Sequence, residues 1–234
     1  MFDATVPWRR ECPWRRHELL SVAPEFWASP AAPRRTTAVA PLLVRWANEG
    51  WPVIVRRPTI GDPPDNVPVG VPLPPAAGKQ RIAFTVPEEA VLQRSPPPSL
   101  RAVKHAADPG WEPTIRALEA LGACHGVAPA AVGSLLWQHR TGLHYLSPQS
   151  DIDVLWPVQA GCEVASLLAG IAAAERTAPM RIDGEVIFSD GGAVNWRELY
   201  NALSQDEPVE VLIKSMDAVR LVDASHLLSS WQVA

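Results

Sequence analysis

Between Gly133 and Trp156 the sequence runs GSLLWQHRTGLHYLSPQSDIDVLW, a segment whose two ends leave few folds open. At its head a Gly-Ser pair follows the small apolar run Ala130, Ala131 and Val132, and Leu135, Leu136 and Trp137 continue at helical spacing. This is the pattern of a strand, a tight turn and a helix. At its tail, after a turn around Pro148, acids and apolar residues alternate through Ser150-Asp151-Ile152-Asp153-Val154. Successive side chains of a strand point to opposite faces, so Asp151 and Asp153 project together while Ile152 and Val154 turn to a core.

Two carboxylates roughly 7 Å apart on one strand face repel each other. On an edge strand water would screen them; beside a phosphate-binding turn, a cation between them explains them better. Mg²⁺ takes hard oxygen ligands, typically one or two carboxylates completed by substrate phosphates. The Gly133-Ser134 turn, opening a helix, offers backbone N–H groups to those phosphates. A G-S turn followed by an acid-apolar-acid strand resembles the nucleotidyltransferase superfamily signature, with His144–Pro148 as an inserted loop.

Downstream, Val164–Arg176 predicts a helix and Met180–Phe188 a strand that places Arg181, Asp183 and Glu185 on one face. A third acid there suits a metal-dependent phosphoryl transferase, as ligand or to orient the attacking hydroxyl. Asp183 is the first choice and Glu185 the reserve. Helix Trp196–Leu203 and strands Val209–Ser215 and Ala218–Val222 follow, with Lys214 placed to meet a leaving phosphate or to reach solvent.

Upstream the character changes. Residues 1–110 carry 14 Lys/Arg against 10 Asp/Glu, and residues 111–234 carry 7 against 15. Of 25 prolines, 20 precede residue 114. Coincident shifts of charge and proline divide the chain into a basic, proline-rich domain, 1–110, and an acidic catalytic one, 111–234. In the first, Ala38–Asn48 predicts a helix, Trp51–Arg57 and Ile82–Val86 predict strands, and the proline-dense residues 58–78 predict extended surface chain. Arg56 and Arg57 close one strand, and Lys79 and Arg81 open the other, as candidate phosphate ligands. The expected fold is α+β: a C-terminal nucleotidyltransferase-like mixed sheet with flanking helices, and a smaller proline-rich α/β N-terminal domain.

Several functions are excluded by spacing. Around Gly78-Lys79 a P-loop would need Gly at 73 and Ser or Thr at 80, where Leu73 and Gln80 stand. His17-Glu18 is not followed by the second histidine of a zinc motif, so Arg16–Leu20 reads as the end of an ordered arm. His139 and His144 have no third partner in the sequence. Cys12, Cys124 and Cys162 form no C-x-x-C, which points to a reducing cytoplasm. Trp8-Arg9-Arg10 breaks any signal peptide and Val164–Ala174 is too short to span a bilayer, so no membrane partner is expected. Trp137 and Trp156 read as packing residues, and no nucleic-acid partner is expected.

Arg16–Leu20, Gly50–Arg57 (GWPVIVRR), Val69–Pro75 with Gly78–Ile82, Gly133–Trp156 and Ile182–Phe188 occur in the order of the malonate decarboxylase holo-[acyl-carrier-protein] synthases, or phosphoribosyl-dephospho-CoA transferases, and the chain resembles that family along nearly its full length. The resemblance implies transfer of a 2′-(5″-phosphoribosyl)-3′-dephospho-CoA group from triphosphoribosyl-dephospho-CoA to a serine of the acyl-carrier subunit of malonate decarboxylase, with release of pyrophosphate. Under it, Asp151, Asp153 and Asp183 hold Mg²⁺, Gly133 and Ser134 cradle the pyrophosphate, and Arg56, Arg57, Lys79 and Arg81 serve the donor or an acidic carrier. A different Mg²⁺-dependent nucleotidyltransferase, or a catalytically silent carrier-binding module, are the competing readings.

Overall fold

The computed structural model describes residues 13–33 and 39–232; Trp8-Arg9-Arg10 and Cys12 lie outside them. The chain forms two compact units, one ending at Pro97 and taking in Arg140–Tyr145, the other holding Pro98–His139 and the chain from Leu146 onward. Pro98–Gly110, which composition places with the basic half, pack in unit 2.

Unit 1 is built on a five-stranded antiparallel sheet of β1 (Leu19–Val22), β2 (Val53–Val55), β3 (Asn66–Pro72), β4 (Arg81–Pro87) and β5 (Val91–Ser95), in the order β4-β3-β2-β1-β5. Helices α1 (Pro24–Ala28) and α2 (Ala40–Asn48) accompany it, and both carry proline in the first turn, where a missing N–H costs nothing. Two expectations are corrected here. The residues read as the end of an arm run into β1, with Glu18 paired to Arg94 at 2.8 Å. The proline-rich segment read as extended surface chain contains β3, whose Val67, Val69 and Val71 are fully buried. Pro68 is tolerated inside that strand because its carbonyl accepts the N–H of Arg56. Its donorless nitrogen faces the same side, where β2 has already ended at Val55.

Arg56 itself is turned inward. Nε donates to the Val69 carbonyl, Nη1 to the Arg57 carbonyl and Asp62 Oδ2, and Nη2 to Asp62 Oδ1 and the Phe84 carbonyl. All the donors of a guanidinium are thereby used. The hydrogen bonds from Arg56 hold the Asp62 carboxyl below the usual carboxylate range against the opposing effect of burial. In the same unit the Tyr145 hydroxyl donates to the Pro72 carbonyl at 2.8 Å, and burial raises its phenol pKa, keeping that donor protonated.

Unit 2 carries a six-stranded mixed sheet. Its strands are β6 (Ala130–Ala131), β7 (Ile152–Pro157), β8 (Ile182–Ile187), β9 (Ala193–Asn195), β10 (Glu210–Lys214) and β11 (Val219–Asp223), ordered β11-β10-β9-β8-β7-β6. Only β7 and β8 are parallel, and the chain between them makes the crossover helix α6 (Val164–Glu175) that a parallel pair requires. The other helices are α3 (Leu100–Val103), α4 (Glu112–Cys124), α5 (Gly133–Thr141), α7 (Trp196–Leu203) and α8 (Ala224–Gln232). Ile115 and Leu118 of α4, Leu167, Leu168 and Ile171 of α6, and Leu199 of α7 join Ile152, Val154, Trp156, Ile182, Val186 and Val194 in one core. Alternation then sends the intervening residues of β7, β8 and β9 to the opposite face. The α+β fold thus comprises a unit with a mixed sheet and flanking helices and a smaller unit of sheet and helices. Among the described residues no helix is long and apolar enough to cross a membrane.

Candidate active site

The face of the unit 2 sheet turned away from the core gathers the acids. Parallel pairing sets Asp153 directly beside Asp183, so two half-buried carboxylates stand on neighbouring strands at one level. Strands in register are about 4.8 Å apart, closer than successive same-face residues along one strand. The nearest pair is therefore Asp153 with Asp183, whereas the sequence pattern pairs Asp151 with Asp153.

Asp151 lies just before β7, where the Ile152 N–H donates to the Arg181 carbonyl at 3.0 Å. The Arg181 guanidinium lies between two acids, Nη1 at 3.9 Å from Asp151 Oδ2 and Nη2 at 3.5 Å from Asp183 Oδ2. The three acids do not close on one point: among the described residues no group of three or more His, Cys, Asp or Glu side chains is placed to hold a metal ion. The expected three-carboxylate cage is thus replaced by a two-carboxylate face with an arginine beside it.

Asp183 is held from one side. Its Oδ1 accepts the Gly184 N–H at 2.8 Å and the Asn195 Nδ2–H at 2.9 Å, while Oδ2 faces Arg181. Asn195 also caps α7, its Oδ1 accepting the N–H groups of Arg197 and Glu198, so one side chain ties the helix start to the acid. Glu175 and Arg197 clamp the start of β8. Arg197 forks onto the Glu175 carboxylate and donates to the Ile182 carbonyl, and Glu175 accepts the Ile182 N–H. The hydrogen bonds from Arg197 hold the Glu175 carboxyl below its ordinary range, so the clamp stays charged as the pH falls into that range. Asn195 escapes a motif search, its available signal being a capping residue ahead of a helix; Arg181 is placed on the acid face by the alternation that carries Asp183, but no motif gives it a role.

Glu185, the reserve acid, lies 3.6 Å from Lys214 Nζ. That contact places Lys214 on the same face and gives Glu185 a cation of its own, which leaves Asp183 as the acid matched to Asp153.

Gly133 meets the acids from β6. Ala130 and Ala131 pair with Leu155 and Val154, and the Val132 N–H donates to the Asp153 carbonyl at 3.1 Å. Gly133 then turns with φ +62°, and a Cβ built on it would lie 1.9 Å from Asp153 Oδ2. The first residue of α5 is glycine because the Asp153 carboxylate occupies the space of a side chain. The chain at Ser134 leaves this contact as the first turn of α5, whose leading N–H groups lack helical partners. A hard-oxygen pair beside such a turn fits Mg²⁺ completed by substrate phosphate and water. The donor set suits a shared metal and not an all-protein cage.

The basic candidates of unit 1 divide. Arg56 is corrected to a structural clamp, since Asp62 and three carbonyls use its donors. Arg57 is half-buried after β2, and Lys79 and Arg81 are exposed where the chain enters β4, Lys79 in a left-handed turn with φ 53°.

Comparison with known proteins agrees with the resemblance. The family model described as "Phosphoribosyl-dephospho-CoA transferase MdcG N-terminal domain" matches residues 15–97, and the corresponding C-terminal domain model matches residues 99–225. A protein of Bradyrhizobium diazoefficiens named phosphoribosyl-dephospho-CoA transferase is 39% identical over 214 residues, covering 92% of each chain. Proteins of the same name from Xanthomonas campestris pv. campestris and Xanthomonas euvesicatoria pv. vesicatoria are 34% and 35% identical, covering 86% and 82% of this chain and 93% and 88% of theirs. No solved structure gives a significant match. With both of its units matched by the paired domain models and close relatives along almost its whole length, the chain belongs to the phosphoribosyl-dephospho-CoA transferase family and is an enzyme of the transferase class.

Proposed function

We propose that this enzyme transfers the 2′-(5″-phosphoribosyl)-3′-dephospho-CoA group of triphosphoribosyl-dephospho-CoA to a serine of the acyl-carrier subunit of malonate decarboxylase, releasing pyrophosphate. The observation that carries the reading is the register pairing of Asp153 with Asp183, with Gly133 packed against Asp153 without room for a side chain.

Asp153 and Asp183 would hold Mg²⁺, which when bound would supply positive charge to the phosphate oxygens. Gly133 and Ser134 direct N–H groups at the departing pyrophosphate, and Lys214, on the same face, offers a point charge to it. The carrier serine Oγ forms a bond to the α-phosphorus as the bond from that phosphorus to the pyrophosphate oxygen breaks. The serine proton leaves through Asp151, the more exposed acid at 38% against 26% for Asp183. Such chemistry rests mainly on positioning and charge neutralisation, which is what a fixed sheet face supplies. Of the basic candidates in unit 1, Lys79 and Arg81 are exposed and serve an acidic carrier, and Arg57 is held in reserve for the donor.

Mass spectrometry of the carrier after incubation with enzyme, donor and Mg²⁺ tests the reading. The expected result is a carrier heavier by one prosthetic group, with one pyrophosphate released per carrier modified. Pyrophosphate released from ATP alone, with the carrier unmodified by the donor, overturns it.

A further inference from the structure

We propose that Arg181 is the exchangeable counter-ion of the acid face: it neutralises Asp151 and Asp183 in the ligand-free enzyme and passes to the donor's phosphates when metal takes its place. This rests on the reading of Asp153 and Asp183 as the metal-binding pair.

Arg181 differs from Arg197 and Arg116, which are hydrogen-bonded to their carboxylates, and from Arg101, which faces the single acid Glu119 at 4.0 Å, in lying between two acids. Arg197 is hydrogen-bonded in a fork to Glu175 and stacked 4.4 Å over Trp196. Arg116 donates to Glu112 at 2.6 Å. Arg181 stands 3.5 and 3.9 Å from its two acids, beyond hydrogen-bonding distance, and its side chain is 57% exposed. Its backbone, by contrast, is fixed, because its carbonyl accepts the Ile152 N–H and the next residue opens β8.

A guanidinium held at the Cα and loose at the tip can swing without disturbing the sheet. Its two contacts are those of a half-exposed ion pair, which water screens. Its donors are unspent and form a planar fork that matches phosphate oxygens two at a time. Asp183 supplies the other half of the exchange: Oδ1 is fixed by Gly184 and Asn195, so only Oδ2, the oxygen facing Arg181, changes partner. A dication arriving there makes the arginine's charge redundant and repels it towards the incoming triphosphate, which carries the opposite sign.

The consequence is a divergence that a merely structural arginine would not give. In the full chain, Arg181→Ala binds Mn²⁺ alone roughly two- to fivefold more tightly than the wild type, because a competing cation is gone. The same variant binds triphosphoribosyl-dephospho-CoA in the presence of Mn²⁺ roughly tenfold or more weakly, having lost charged hydrogen bonds to phosphate. Arg181→Lys restores the wild-type Mn²⁺ affinity and recovers only part of the donor affinity, since an ammonium lacks the fork. Mn²⁺ binding is read by electron paramagnetic resonance and donor binding by calorimetry, with Asp183→Asn as reference. If Asp183→Asn loses Mn²⁺ while Arg181→Ala matches the wild type in both measurements, the metal reading stands and the exchange is refuted. If, with the donor present, the wild type takes up no Mn²⁺ that Asp183→Asn removes, the metal reading itself fails and the exchange falls with it.

Discussion

Asp153→Asn slows transfer by roughly 10²-fold or more while leaving the protein folded and no less stable. The substitution keeps the volume of the side chain against Gly133, so α5 still starts where it does. What it removes is one of two charges placed side by side by the parallel register of β7 and β8. If those charges serve the reaction, the loss of one should cost at least as much as the loss of a single transition-state donor, roughly 10²–10³-fold in rate. If they served the fold, removing one would weaken it. Like charges at neighbouring positions repel, so the thermal midpoint of the variant is expected to hold or rise by a few tenths of a kcal/mol equivalent, about 1 °C for a chain of this size. Steady-state pyrophosphate release and a thermal scan read the two together. A variant that keeps half its rate, or that loses both rate and stability, contradicts the assignment.

Gly184→Ala does the reverse, with a large loss of stability. Gly184 sits in the middle of β8 with φ +138°, a conformation that side chains rarely adopt. A Cβ there would lie 1.8 Å from the carbonyl oxygen of Val154 and 2.7 Å from its carbon. Those are backbone atoms of the neighbouring strand, which no rotamer change can move aside. Either β7 and β8 separate or the chain at Asp183 rotates into an ordinary β conformation, and the Gly184 N–H then leaves the Asp183 carboxylate. The expected cost is roughly 3 kcal/mol or more, in the range of strain and overpacking at a fixed site. That corresponds to a fall of about 6–12 °C in the unfolding midpoint of the sheet that carries the acids. Circular dichroism measures it directly, and a midpoint within about 1 °C of the wild type would show that β8 has slack that its geometry does not display.

The contrast between these glycines shows where the sequence was informative. Gly133 announces itself, because a Gly-Ser pair between a small apolar run and a helical pattern is a local signal. The strand around Asp153 is equally legible, since alternation needs only near neighbours. The strand from Ile182 to Ile187 and the helices over 164–175 and 196–203 follow from the same periodicities. What could not be read is set by long-range register. Nothing local says that Asp153 lies beside Asp183, or that Lys214 comes within 3.6 Å of Glu185, until β7, β8, β9 and β10 are ordered.

Arg56 illustrates the same limit from the other side. A basic pair ending a strand suggests a ligand, yet Asp62, Val69 and Phe84 arrive from three separate places in the chain to take its donors. The β3 strand was hidden for a different reason. Pro68 and Pro72 weigh against a central strand, and only the shortness of β2, which starts after the level of Pro72 and ends before that of Pro68, makes their missing donors harmless.

The most direct test of the acid face is the anomalous difference density of Mn²⁺ in crystals grown with the triphosphate donor. The account predicts a manganese ion ligated by one carboxylate oxygen from each of Asp153 and Asp183, with phosphate oxygens completing its shell and the α5 N-terminus at Gly133 beside the terminal phosphates. Manganese bound anywhere else on the chain, with those two carboxylates facing only solvent, would contradict it.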